Sequence, residues 1–161
     1  MNSKTIFFES QRFIYKWLVG LLILLVALRI YLSGIRSFQD LDWSNPGLWI
    51  ALAVFLFLFS IRLRTRIDER GIYLRFIPFI WKEKHWSWAS IEAAYVRKYS
   101  LFEYGGWGLR IGGSGVAYTT RGLYGLQLEF KDGRRKVLIG TQRPEELKAI
   151  IAQLKQAQAD V

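Results

Sequence analysis

The stretch GLQLEFKDGRRKVLIG, residues 125–140, decides the fold because it reads as two β-strands joined by a short turn. Asp132-Gly133 is the sequence signal for a type I′ turn. Counting outward from the turn pairs Leu128 with Val137, and this register places five apolar residues on one face. Those residues are Leu126, Leu128, Phe130, Val137 and Ile139. The stretch therefore predicts an antiparallel hairpin with one buried face.

The opposite face of this hairpin supports the same register. Glu129 lies across from Lys136, and a pair of opposite charges on neighbouring strands is favourable. Arg134, Arg135 and Lys136 crowd the tip of the hairpin. We consider these three side chains candidates for binding an anionic partner.

Alternation of polar and apolar residues continues before this hairpin. Residues 62–67 and 72–76 alternate across a turn, which predicts a second hairpin, and further strands are predicted at 81–88, 91–99 and 116–119. Pro144 begins a helix, because proline and acidic residues suit a first turn and apolar residues follow at helical spacing. Strands followed by a helix predict a small antiparallel barrel or sandwich with the helix covering one open end.

Two apolar runs precede the strands. Residues 17–28 and 47–61 contain no charge and no polar stripe at helical period. Both are shorter than the roughly 20 residues of a spanning helix, but basic and aromatic residues flank them and suit membrane interfaces. We therefore predict two transmembrane helices at about 13–35 and 43–63, with a buried helical hairpin as the alternative.

Basic residues near the helix ends predict the orientation. They are concentrated before the first helix and after the second, so both termini are expected in the cytoplasm of a multi-pass protein of the cell membrane. The chain then divides into an N-terminal cytoplasmic segment (1–12), a transmembrane hairpin (13–63) and a cytoplasmic domain (64–161).

This layout resembles a known family. Two apolar segments, several short strands and the stretch TQRPEEL are similar to bacterial membrane proteins that carry a pleckstrin-homology-like domain after a transmembrane hairpin. The matching stretches are residues 104–110, 125–133 and 139–147. The resemblance implies an α+β membrane protein, with a hairpin followed by an antiparallel barrel or sandwich and a C-terminal helix. It implies no reaction, because such folds bind phosphoinositides in some branches and peptides or subunits in others.

The stretch YGGWGLRIGGSG, residues 104–115, contains six glycines. A dinucleotide-binding loop would need a third glycine where Ile111 stands, followed by a helix, and strand-forming residues follow instead. We interpret the glycines as bends in a sheet, with a backbone anion site as the minor alternative. Tyr104, Trp107 and Arg110 are candidate binding residues, and the competing interpretation is that the two aromatic residues fill the interior.

The sequence contains no cluster of residues that is typical of a catalytic site. The chain has no Cys, and its single His, His85, lies between Lys84 and Trp86 without a visible partner. The carboxylates are scattered, so we expect no catalytic residue, no metal site and no cofactor.

The net charge of +10 indicates an anionic partner or surface. We do not expect nucleic acid, because no basic recognition helix or RNA-recognition signature is present. The sequence therefore predicts a non-enzymatic, membrane-anchored binding or scaffolding module at the cytoplasmic membrane face, which engages a protein partner or anionic lipid headgroups. The partners expected are membrane lipids, a protein or a second copy of the chain. The alternative is a structural subunit of a larger membrane assembly that associates through its transmembrane hairpin.

Overall fold

The computed structural model describes residues 5–13, 16–33, 46–113 and 115–159. It contains two compact units. One unit consists of Met1–Arg12 together with Arg62–Val161, and the other consists of Phe13–Ile61. The segment before the first helix therefore belongs to the same unit as the C-terminal strands.

The described residues of the unit Phe13–Ile61 form two helices, α1 (Lys16–Ser33) and α2 (Pro46–Ser60). We call them the helical pair. They have 18 and 15 residues, which at about 1.5 Å per residue gives lengths of roughly 27 and 22 Å, against about 30 Å for a bilayer core. In the described segments, no helix combines the length and the apolar character needed to cross a membrane.

The predicted transmembrane hairpin is therefore wrong. The same finding overturns the membrane-protein fold class, the multi-pass location in the cell membrane and the resemblance to membrane proteins with such a hairpin. Residues 14–15, 34–35 and 43–45 of the predicted helices, and the chain ends at 1–4 and 160–161, lie outside the described residues.

The larger unit is built from strands and three short or peripheral helical segments. The strands are β1 (Thr5–Arg12), β2 (Arg62–Asp68), β3 (Gly71–Ile77), β4 (Ile80–Ser87), β5 (Ile91–Lys98), β6 (Gly108–Gly112), β7 (Gly115–Thr119), β8 (Tyr124–Phe130) and β9 (Val137–Thr141). The helical segments are a 3₁₀ turn (Trp88–Ser90), α3 (Leu101–Tyr104) and α4 (Pro144–Ala159).

Strands β1 to β4 form an antiparallel sheet in sequence order, which we call sheet A. The predicted hairpin of β2 and β3 is confirmed, with Leu63 opposite Phe76 and Ile67 opposite Ile72. Strand β1 was not predicted; it pairs with β2 and buries Phe7 on its inner face. Alternation in β2 and β3 therefore gives sheet A one buried face and one outer face.

Strands β5 to β9 form a second sheet, sheet B, in the order β5-β8-β9-β7-β6. The predicted register of the β8–β9 hairpin is confirmed, because Leu128 pairs with Val137. β7 runs parallel to β9, with Ala117 beside Leu138, so the expectation of a purely antiparallel arrangement is wrong. The nine described strands form two separate sheets and no closed barrel, so of the predicted barrel or sandwich the barrel is wrong.

The main core lies between the two sheets. Trp86 of sheet A contacts Tyr118 and Phe130 of sheet B, and the ring centroids are 6.4 Å apart in both contacts. Phe76 of sheet A also contacts Tyr118, with the two rings in an edge-to-face arrangement. Helix α4 begins at Pro144 as predicted and buries Leu147.

The turn between β8 and β9 differs from the predicted type I′ turn. A type I′ turn requires a positive φ at both central residues. Gly133 has φ +69°, but within the described ranges only glycines have a positive φ, so Asp132 does not meet this requirement. The Gly133 N–H donates to the Phe130 carbonyl at 3.1 Å. The prediction of the turn type is wrong, and the connection is a wider loop of residues 131–136.

Gly133→Ala should lower the free energy of unfolding by about 1–2 kcal/mol, because an alanine at φ +69° is strained. Gly112→Ala is the matched control, since an added Cβ has no atom within 4 Å at either position and Gly112 does not have a positive φ. Urea unfolding of the two variants checks the difference. Equal stabilities would contradict the backbone conformation assigned to Gly133.

Candidate functional site

A polar groove of about 600 Å³ lies on sheet B, on the face opposite the main core. We call it the sheet-B groove. Its side chains come from β5, from β8, from α3 and from the loop that follows β8. The residues on which the argument rests are Tyr95, Arg97, Glu103, Arg134, Arg135 and Lys136.

Arg97 is held rigidly at one side of the groove. Its Nε donates to Gln127 Oε1 at 3.0 Å, and its two Nη atoms donate to the carboxylate of Glu103 at 3.0 and 2.5 Å. The hydrogen bond from Arg97 lowers the pKa of Glu103, and the same bond raises the pKa of Arg97. Both groups are therefore charged at neutral pH, and the guanidinium has a fixed orientation.

A second charged cluster is centred on Glu129. Its Oε1 accepts hydrogen bonds from Tyr95 Oη at 2.8 Å and from Lys136 Nζ at 2.9 Å. The bond from Lys136 is the main reason why the pKa of Glu129 is lowered, and the bond to Glu129 raises the pKa values of Tyr95 and Lys136. The predicted cross-strand pair of Glu129 and Lys136 is confirmed.

The loop after β8 supplies two arginines. Arg134 Nε lies 3.0 Å from the Asp132 carboxylate, and its guanidinium lies 4.3 Å from the centre of the Phe130 ring. Arg135 is exposed and forms no side-chain hydrogen bond or ion pair with any residue that the structure describes. Arg135 is therefore the side chain of this loop that is open to a ligand.

Gly115 fixes how closely β7 approaches this loop. The Val116 N–H donates to the Lys136 carbonyl at 2.8 Å, and a Cβ on Gly115 would lie 2.2 Å from that same oxygen. Gly115 also has φ +124°, a conformation that glycine alone adopts readily. One of the six glycines is thus required for the backbone contact that shapes the groove.

The structure separates the three candidate residues of the glycine-rich stretch. Tyr104 is buried with Tyr99, Ala117 and Leu138. Trp107 is half-buried, and its indole N–H donates to the Gly122 carbonyl at 3.0 Å.

Arg110 is exposed, and its Nε donates to the Trp107 carbonyl at 3.2 Å. Of the candidates, Arg134, Arg135 and Lys136 line the groove, and the other three are not among its lining residues. In the described part of the glycine-rich stretch, β6 is followed by β7 and not by the helix that a dinucleotide site would need.

Sequence reasoning missed Tyr95, Arg97 and Glu103. Tyr95 and Arg97 alternate on β5, and Tyr95 is paired with Gln127 on β8. The alternation was visible in the sequence, but the partner strand was not.

No group of three or more potential metal ligands occurs within the described ranges. His85 lies on sheet A, stacked on Tyr73 with ring centres 4.3 Å apart.

Glu103→Gln should destabilise the protein at pH 7 by less than about 1 kcal/mol, because the pair with Arg97 is partly exposed. The folded-state pKa of Glu103 is lowered, so its contribution is present above the ordinary glutamate pKa and is lost as the pH falls through the folded value. Urea midpoints of the two proteins should therefore differ at pH 7 and converge as the pH falls below the folded-state pKa of Glu103. A difference that stays constant with pH would contradict the ion pair.

Comparisons with known proteins add no family to this picture. No protein-family model matches the chain, and no curated protein or solved structure matches it. The function is therefore inferred from the residues of the chain itself.

Proposed function

We propose that the chain is a binding module that holds a small anionic group of its partner, a carboxylate or a phosphate, in the sheet-B groove. One observation carries the proposal. Four basic side chains from two separate parts of the chain line the groove, and one of them, Arg135, has no partner in the described residues. A guanidinium presents paired N–H donors that match carboxylate and phosphate oxygens.

The charges of the groove favour one added anion. Arg97 pairs with Glu103, Arg134 with Asp132, and Lys136 with Glu129. These pairs balance their own charges and orient the basic groups, so the uncompensated charge is that of Arg135. A phosphate or carboxylate group would meet donors that are already positioned, which reduces the ordering cost of binding.

The same groups support binding rather than catalysis. The carboxylates Glu103 and Glu129 have lowered pKa values because basic side chains donate hydrogen bonds to them, and this makes them weak general bases. The pKa of the Tyr95 hydroxyl is raised by its bond to Glu129, so it remains protonated at neutral pH. The side chains of the groove are thus suited to hold charge in place.

Calorimetric titration of the full chain with pyrophosphate and with citrate tests the proposal. We expect binding that weakens about tenfold in Arg135→Glu, since the change replaces an attractive charge by a repulsive one. Lys155→Glu makes the same charge change on an exposed position of α4 and should leave the affinity within about twofold. Equal losses in both variants, or no binding of either anion, would contradict the groove as the site.

A second candidate function is association through the helical pair, with a second copy of the chain as the partner. The observation that favours it is the exposure of large apolar side chains on both helices, among them Ile23 at 63% and Ile50 at 62%. Exposed apolar surface of this extent is typical of interfaces. Sedimentation velocity should show a dimer that dissociates in the Ile23→Gln, Ile50→Gln variant, and a monomeric unmodified chain would rule this candidate out.

A further inference from the structure

The outer face of sheet A carries a concentration of arginines that the sheet-B groove does not use. Alternation along β1, β2 and β3 directs the residues between the arginines toward the core and the arginines outward. We call this set the arginine face. Its members are Arg12, Arg62, Arg64, Arg66 and Arg75.

The strand register places like charges directly opposite each other. Arg12 is opposite Arg62 on the neighbouring strand, and Arg64 is opposite Arg75. Like charges in directly opposed positions destabilise a sheet. Two such pairs in one small sheet indicate that the charge serves a contact with something outside the chain.

Little negative charge compensates the arginine face. Arg66 lies 3.3 Å from the Glu83 carboxylate and 3.5 Å from the buried Asp68. In the segments that the structure describes, the other four guanidinium groups form no ion pair, and Nε of Arg75 is buried without a hydrogen-bond partner. The face therefore presents an excess of positive charge to its surroundings.

Aromatic groups lie in the same cross-strand row as Arg66. Tyr73 is paired with Arg66 and with His85, and Phe8 is paired with Arg66 on the other side. The Arg66 guanidinium lies 4.0 Å from the centre of the Tyr73 ring, which also stacks on His85. Phe8 is 53% exposed. The surface thus combines an apolar ring with cationic groups.

The arginine face also adjoins the helical pair along the chain. The unit Phe13–Ile61 begins directly after Arg12 and ends directly before Arg62. Arginine clusters are attracted to the negative surface of phospholipid layers, and aromatic rings suit the headgroup level.

We propose that the arginine face docks on the surface of an anionic phospholipid bilayer. A sheet face offers a broad row of charges, which matches a plane of phosphate and carboxylate groups. Single-stranded nucleic acid fits less well, because the ring of Tyr73 is already in contact with Arg66 and His85 and is less open to base stacking. The contact lies on the other sheet from the groove and does not depend on the proposed function.

Vesicle co-sedimentation of the full chain tests this surface. Vesicles of phosphatidylcholine alone are compared with vesicles containing about one-third phosphatidylserine, at low and at high salt. We expect at least about tenfold tighter binding to the anionic vesicles, reduced by salt because exposed charges are screened. Binding driven by the helical pair alone would be equal on both vesicle types and would overturn the proposal.

The variant Arg64→Gln, Arg75→Gln removes one of the opposed pairs. It should weaken binding to anionic vesicles about tenfold, and its melting temperature should stay the same or rise because the repulsion is relieved. The matched control is Lys148→Gln, Lys155→Gln, which removes the same charge from exposed positions of α4 and should retain binding within about twofold. Equal losses in the two variants, or tighter binding of the unmodified chain to a single-stranded oligonucleotide than to the anionic vesicles, would overturn the assignment.

Discussion

Trp86→Ala is expected to lower the free energy of unfolding by about 3–5 kcal/mol. Trp86 is 8% exposed and joins the two sheets, because its ring contacts Tyr118 and Phe130 on the opposite sheet. Its removal would leave a cavity between them that the surrounding rings can fill only in part. Guanidinium unfolding followed by circular dichroism measures the loss.

Trp81→Ala is the control for this prediction. Trp81 lies on the same strand and is 66% exposed, so its removal should change the stability by no more than about 0.5 kcal/mol. If both variants lost the same stability, the main core would not lie between the sheets as described.

Gly115→Val is expected to destabilise the protein by about 2–6 kcal/mol. Its Cβ would overlap the Lys136 carbonyl at 2.2 Å, and a β-branched residue cannot readily adopt φ +124°. The change should separate the start of β7 from Lys136 and deform the sheet-B groove. Thermal melting measures the first effect, and loss of pyrophosphate binding at a temperature where the protein remains folded measures the second.

Gly113→Val provides the comparison. It lies two residues away, an added Cβ meets no atom within 4 Å, and its φ is not positive. Its melting temperature should stay close to that of the unmodified chain. A Gly115→Val variant that melts like Gly113→Val would show that β7 does not approach Lys136.

Local patterns explain which parts of the fold could be predicted. The β8–β9 register follows from the apolar alternation on either side of Asp132-Gly133, and those residues are neighbours in the sequence. The turn type failed because Asp132 keeps a negative φ in a wider loop, which the dipeptide alone does not reveal.

Strand β1 escaped prediction for a different reason. Its inner face carries Glu9 and Gln11, which look like solvent-facing residues in the sequence. In the structure Glu9 accepts a hydrogen bond from the Thr141 hydroxyl at 2.7 Å, and Gln11 Nε2 donates to the Gly140 carbonyl at 2.7 Å. Their partners are about 130 residues away along the chain. Buried polar groups with such remote partners give no local signal.

The helical pair shows the limit of hydropathy. Residues 17–28 and 47–61 are apolar on all sides, which is typical of membrane segments and of buried helices alike. In the described residues the two helices have 18 and 15 residues, and neither is long and apolar enough to cross a membrane. The sequence pattern did not reveal these lengths, because helix ends are among the features that it defines least well.

The groove was predictable only in part. Arg134, Arg135 and Lys136 follow from a hairpin tip, which is local. Arg97 and Glu103 join them only because β5 pairs with β8 and α3 returns over the sheet. The spacing of charged residues along the sequence predicts neither of these contacts. Binding sites assembled from distant segments require the topology first.

Amide chemical shifts of the ¹⁵N-labelled full chain, followed during titration with pyrophosphate, test the central claim most directly. We predict saturable shifts concentrated at residues 95–97, 113, 115 and 131–136, which surround the sheet-B groove, and their loss in Arg135→Glu. Shifts that instead concentrate on β1 to β3, or that persist unchanged in Arg135→Glu, would contradict binding in the groove.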